Sequence, residues 1–85
     1  PAGNASARRL ELSTASLVAG GSGPVRASAM TRYRGPEAPG VLEFTGATTG
    51  IFTFDEAQPP AAAGQAAVLY RGEEVLGGGT IDRVS

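Results

Sequence analysis

The sequence contains neither cysteine nor histidine. Without cysteine, the chain has no disulfide, no thiolate metal site and no thiol nucleophile. Without histidine, it lacks the usual general base at neutral pH, and only eight carboxylates, two tyrosines and the hydroxyl side chains remain for acid–base chemistry. This composition disfavours an enzyme, and we predict no catalytic residue and no metal ligand in this chain.

Lysine is absent as well, and seven arginines against eight acidic residues leave a net charge of −1. No overall field would attract a polyanion or an anionic membrane, so any contact with nucleic acid must be local. Apolar runs are far shorter than the roughly 18 to 20 residues that cross a bilayer, and the N-terminus has no signal-peptide pattern. We therefore expect a soluble, cytoplasmic monomer with no membrane partner.

The length of 85 residues predicts one domain. The first nine residues, Pro1 to Arg9, are mostly small and polar and have no hydrophobic period. Such a segment cannot offset the entropy lost on ordering. We predict a disordered tail over residues 1–9 and a folded domain over residues 10–85.

Short apolar runs with a period of two, or rich in β-branched and aromatic residues, predict strands. They are Leu10 to Val18, Val25 to Arg34, Val41 to Thr45, Ile51 to Asp55, Ala66 to Arg71, Val75 to Leu76 and Thr80 to Val84. Glycines and prolines predict loops at Gly35 to Gly40 and at Gln58 to Gly64. No segment of ten residues keeps a helical period. The pattern predicts an all-β fold, a small antiparallel β-barrel of about six strands, since closure removes exposed edges.

Arg32 and Arg34 are the first candidates for function. In a strand, residues two apart share a face, so both guanidinium groups would lie on one side and the Tyr33 ring on the other. Arginine matches phosphate geometry with paired donors, which favours contact with an RNA backbone. The alternative is a solvated strand face on which the arginines pair with Glu37 or Glu43.

Gln65 is the second candidate. It follows Gly64, which is expected to supply a positive φ, and its amide can tie the loop to backbone groups or contact a ligand. Tyr33 and Tyr70 could stack on bases, but their alternation with valine and alanine favours the core.

The run Gly77 to Gly79 could cradle a phosphate only if a helix followed it, and none is predicted. We interpret it as a bulge or a close approach of two backbones. The acidic pairs Asp55–Glu56 and Glu73–Glu74 point to opposite faces of a strand rather than converging, so we interpret them as turn and solubility residues.

A string of motifs resembles one family, the tRNA-specific 2-thiouridylases. In order, the motifs are Arg32 to Arg34 (RYR), Phe54 to Glu56 (FDE), Gly64 to Gly72 (GQAAVLYRG) and Leu76 to Ile81 (LGGGTI). The resemblance runs from about Leu10 to Ile81 and is to the C-terminal domain of these enzymes. The chain departs from the family at Ala63, where proline usually precedes the Gly-Gln pair.

The resemblance implies a β-barrel appended to a catalytic domain, in a transferase that adds sulfur to the wobble uridine of tRNA at the expense of ATP. ATP belongs to that absent catalytic domain, and this domain is expected to hold no cofactor. The implied partners are tRNA and the enzyme's own catalytic domain, and the expected RNA contacts are Arg32, Arg34 and Gln65. A structural barrel that docks on the catalytic domain without touching RNA is the alternative. An independent two-carboxylate hydrolase is disfavoured.

Overall fold

The computed structural model describes residues 7–18, 20, 23–31 and 35–85. Its strands are β1 (Ala7–Leu17), β2 (Val25–Met30), β3 (Glu37–Phe44), β4 (Gly50–Gln58), β5 (Ala66–Arg71) and β6 (Glu74–Val84). All pairings are antiparallel, in the order β1-β4-β3-β2-β5-β6, and β6 returns to β1 to close a barrel. The predicted small antiparallel barrel is confirmed.

The interior of the barrel is filled by apolar side chains that alternate with exposed residues along each strand. Phe52 and Phe54 meet edge to face, with ring centroids 5.1 Å apart. Among the described residues no polar or charged side chain is buried. In the same residues no helix is long and apolar enough to cross a membrane. The buried side chains are Ala7, Leu10, Leu12, Ala15, Ala27, Ala29, Ala38, Leu42, Phe52, Phe54, Ala67, Leu69 and Ile81.

Strand β1 begins at Ala7, three residues before the predicted domain boundary at Leu10. Ala7 is buried, and the backbone N–H groups of Arg8 and Arg9 both donate to the carbonyl oxygen of Ser85, at 2.8 and 2.9 Å. The boundary was placed too late because backbone hydrogen bonds, which composition does not report, order this stretch. Residues 1–6 of the predicted tail lie outside the described part of the chain.

Strand β3 begins at Glu37, inside the loop predicted up to Gly40. The first three residues of β3 pair with β2 alone, and pairing with β4 starts at Gly40. Pro39 is tolerated there because a strand with one neighbour needs a donor only at alternate residues. Gly40 is required, since a Cβ would overlap the carbonyl oxygen of Thr53 and lie 2.7 Å from the Phe52 ring.

Strand β6 runs without interruption through Gly77 to Gly79, so the last strand does not begin at Thr80 as predicted. The predicted close approach of backbones is confirmed. A Cβ at Gly77 would overlap the carbonyl oxygen of Ser16 in β1, and one at Gly78 would overlap that of Ala67 in β5. We call these three glycines, with the β1 and β5 backbone that they contact, the glycine seam.

Candidate nucleic-acid interface

One end of the barrel carries a cleft between two strand connections. Because all pairs are antiparallel, the β2–β3 and β4–β5 connections lie at the same end, where β1 begins and β6 finishes. A cleft of about 190 Å³ opens there, which we call the open-end cleft. Its lining residues are Leu10, Ala29, Thr31, Pro36, Ala38, Phe54, Gln58, Pro59, Pro60 and Ala61.

Among the described residues, the lining of the cleft is mostly apolar and includes two polar side chains. Pro59, Pro60 and Ala61 form one wall from the β4–β5 connection. The polar members are Thr31 and Gln58, and the Gln58 amide Nε2 donates to the backbone carbonyl of Glu56 at 3.1 Å. A hydroxyl and an amide beside flat apolar surfaces suit a ligand with an apolar face and a polar edge.

The predicted contacts Arg32 and Arg34, with Tyr33 between them, lie outside the described residues. The residues that flank them are described: Thr31 on one side and Pro36 on the other both line the open-end cleft. Neither the RNA contact nor the alternative pairing with acidic residues is tested by the described part of the chain, and both stay predictions.

Gln65 ties its loop to the barrel, as predicted. Its side-chain Oε1 accepts from the Ala62 N–H at 3.1 Å, and its own backbone N–H donates to the Ala62 carbonyl at 3.3 Å. Gly64 and Gln65 also exchange backbone hydrogen bonds of 2.7 and 2.8 Å with Ile81 of β6. Gly64 has a φ of 92°, which glycine adopts without strain. A ligand contact of Gln65 is untested, but the amide nitrogen that would donate is separate from the oxygen that holds the loop.

An ion pair that sequence reasoning missed lies on the outer surface. Arg26 of β2 donates to both carboxylate oxygens of Asp55 in β4, at 2.8 and 3.0 Å. The pair spans β3, and Arg8 donates from its side chain to the Asp55 carbonyl at 2.6 Å. The hydrogen bonds from Arg26 hold the pKa of the Asp55 carboxyl below its usual value. Only the strand order brings Arg26 and Asp55 together, since their strands are not adjacent in the sequence or in the sheet.

The position of Tyr70 differs from the prediction. It was predicted in the core, but it is half-buried on the outer face of β5, next in sequence to the fully buried Leu69. The alternation was read one residue out of phase, because Ala66 and Val68 share the outer face with the tyrosine. Glu73 is exposed in the β5–β6 turn, as predicted.

The described residues contain no group of three or more acidic side chains placed to hold a metal ion. Asp55 is engaged by Arg26 and Glu74 is exposed at the start of β6.

Comparison with known proteins identifies the barrel. Residues 8–81 match the model of the aminomethyltransferase beta-barrel domain. The chain belongs to this barrel-domain family. The match covers the six strands nearly from end to end, so family and architecture agree.

The barrel domain is similar in sequence to the C-terminal part of several tRNA-specific 2-thiouridylases. It is 44% identical over 57 residues to the tRNA-specific 2-thiouridylase MnmA of Carboxydothermus hydrogenoformans, covering 67% of this chain and 16% of the relative. It is 39% identical over 67 residues to the tRNA-specific 2-thiouridylase MnmA of Bacillus pumilus, a match that covers 79% of this chain and 18% of the relative. With the MnmA of Moorella thermoacetica it shares 41% identity over 63 residues, which covers 74% of this chain and 18% of the relative. The chain thus spans about a sixth of the length of these relatives, in their C-terminal part, and the resemblance to thiouridylase C-terminal domains is confirmed.

The motifs of the resemblance have architectural positions in the barrel domain. Phe54 lines the open-end cleft, and Asp55 closes the ion pair across β3. Gly64 and Gln65 fasten the β4–β5 connection, and the triple glycine forms the seam. These motif residues therefore maintain the shape of the open end and the closure of the barrel.

Proposed function

We propose that this chain is the non-catalytic C-terminal domain of a tRNA-specific 2-thiouridylase, and that its open end helps to position tRNA for ATP-dependent 2-thiolation of the wobble uridine. The observation that carries the proposal is family membership joined to an interior built of apolar side chains. Since the buried side chains of the described residues are apolar, the groups that could contact RNA lie on the surface of the domain.

The open end is the surface that we assign to RNA. The connection between Thr31 and Pro36 carries Arg32 and Arg34 in its sequence, and the β4–β5 connection carries Gln65. Because the net charge is −1, the contact is local and made by few residues. The carboxylate of Glu37, exposed beside Pro36, would limit its strength.

Titration with RNA tests the two arginines. The isotope-labelled chain is titrated with an anticodon stem-loop RNA at several salt concentrations, as wild type and as the Arg32→Gln, Arg34→Gln double variant. Loss of two phosphate contacts should weaken binding and reduce the slope of log K against log salt by about 1.4, at about 0.7 for each single-stranded contact. Arg71→Gln, near the opposite end of the barrel, is the matched control and should behave as wild type.

Two results would contradict the proposal. An unchanged affinity and salt slope in the double variant would show that the arginines do not touch RNA. If the RNA in excess at low salt shifts no resonance of the wild-type chain, the domain does not contact RNA, and the barrel that docks only on its catalytic domain is favoured.

A pair of substitutions at Gln65 separates its loop role from a ligand role. Gln65→Glu keeps an oxygen to accept from the Ala62 N–H and replaces the amide donors by negative charge, whereas Gln65→Ala removes both. If Gln65 donates to RNA, Gln65→Glu should weaken RNA binding more than Ala63→Glu, which places the same negative charge at an exposed position of the same loop. If Gln65 only holds the loop, the two glutamate variants should weaken RNA binding equally.

A further inference from the structure

We infer that the open-end cleft receives one unstacked base of the bound RNA. This inference rests on the proposed function and names the part of the RNA that the site would take. Sequence-tolerant recognition of single-stranded RNA commonly places a splayed-out base against flat side chains and satisfies its edge with polar groups. The cleft offers both kinds of surface.

The size of the cleft indicates a single ring system. At about 190 Å³ it is smaller than the roughly 300 to 1,000 Å³ of pockets that enclose drug-sized ligands. Pro59, Pro60 and Phe54 supply apolar surface, while the Thr31 hydroxyl and the Gln58 amide supply one acceptor or donor each toward a base edge. Gln58 keeps its Oε1 for this role, since the hydrogen bond to Glu56 uses Nε2.

The position of the cleft favours RNA over an apolar segment of a protein. Of the four residues that join its lining members Thr31 and Pro36, two are the arginines Arg32 and Arg34. Charge complementarity therefore favours a polyanion such as RNA. A peptide of neutral apolar residues would gain nothing from this pair.

The cleft is preformed rather than assembled by the ligand. Its Pro59 to Ala61 wall continues into Gly64 and Gln65, which are hydrogen-bonded to Ile81 and, through the Gln65 side chain, to Ala62. A wall that is already held loses little freedom on binding, so contact area converts more fully into affinity. Gln65 thus serves as a positioning residue for the cleft.

A filled cleft tests the inference. Ala61→Leu adds bulk at a lining position, and Ala63→Leu adds the same bulk at an exposed position of the same loop outside the lining. Each chain is titrated with the intact anticodon stem-loop and with a series in which one loop nucleotide at a time is abasic. One abasic RNA should bind wild type and Ala63→Leu about tenfold more weakly than the intact RNA. Ala61→Leu should bind the intact RNA about tenfold more weakly and should no longer distinguish that abasic RNA.

A second measurement needs no variant and serves if Ala61→Leu fails to fold. In the wild-type complex, the methyl protons of Ala29, Ala38 and Ala61 should show nuclear Overhauser contacts to base protons of a single nucleotide. Their absence from a saturated complex would overturn the base-in-cleft inference, as would a folded Ala61→Leu that binds and discriminates like wild type. In both cases the proposed function stands if the double arginine variant loses affinity, whereas no binding by the wild-type chain would overturn both.

Discussion

The glycine seam and the open-end cleft differ in how closely the chain packs. At the seam, backbones of β6, β1 and β5 approach so closely that a single Cβ would overlap a carbonyl oxygen. At the cleft, the side chains do not meet, and about 190 Å³ stays open between two connections. Closure of the barrel therefore depends on the three glycines of the seam. The surface available for recognition lies at the open end, where loops rather than paired strands set the distance between chain segments.

The largest expected effect is at the seam. Gly78→Ala would force its Cβ onto the Ala67 carbonyl and separate β5 from β6, so we expect the free energy of unfolding to fall by about 3 kcal/mol. Gly23→Ala is the matched control, because an added Cβ there meets no atom within 4 Å, and its effect should stay within about 0.5 kcal/mol. Urea unfolding measures both. Equal stabilities of the two variants would show that glycine does not set the strand spacing.

A smaller effect of opposite sign is expected beside the seam. Thr14 has a φ of 48° in the β1 bulge between Ser13 and Ser16, a left-handed conformation that is strained for a β-branched residue. Thr14→Asn should raise the free energy of unfolding by about 1 kcal/mol, since asparagine tolerates this region. Thr48→Asn, at an exposed position without a positive φ, should change little. A loss of stability in Thr14→Asn would mean that the hydrogen bonds of the Thr14 hydroxyl outweigh the strain.

The smallest effect is expected on the cleft side, where Asp55 follows the lining residue Phe54. The pKa of Asp55 is lowered by Arg26, so the pair contributes stability above the ordinary carboxyl pKa of about 4, and this contribution is lost as the pH falls through the lowered value. Both side chains are largely exposed, at 63% and 40%, so solvent and salt screen the pair. Arg26→Gln should return the Asp55 pKa toward its ordinary value in an NMR titration, and Arg71→Gln should leave it unchanged. An Asp55 pKa that does not move in Arg26→Gln would assign the shift to another cause.

Local sequence patterns were sufficient to predict that the strands of this barrel exist, but not to predict where β1 and β3 begin. The hairpins β3–β4 and β5–β6 follow from apolar runs around glycine turns, and the close backbone approach follows from three successive glycines. The start of β1 at Ala7 and of β3 at Glu37 did not follow, because hydrogen bonds to distant strands order those residues. Tyr70 was misplaced since apolar side chains occupy both faces of β5, so the sequence does not mark which face is buried.

The sequence by itself determined the class of the fold, the absence of thiol and imidazole chemistry and the family, because these depend on composition, on a period of two and on short motifs. The strand neighbours came from the three-dimensional fold alone, and with them the ion pair between Arg26 and Asp55 and the placing of Thr31 and Pro59 around the same open-end cleft. The physical reason is that closing a barrel pairs strands far apart in the chain, and no local pattern encodes a contact across such a separation.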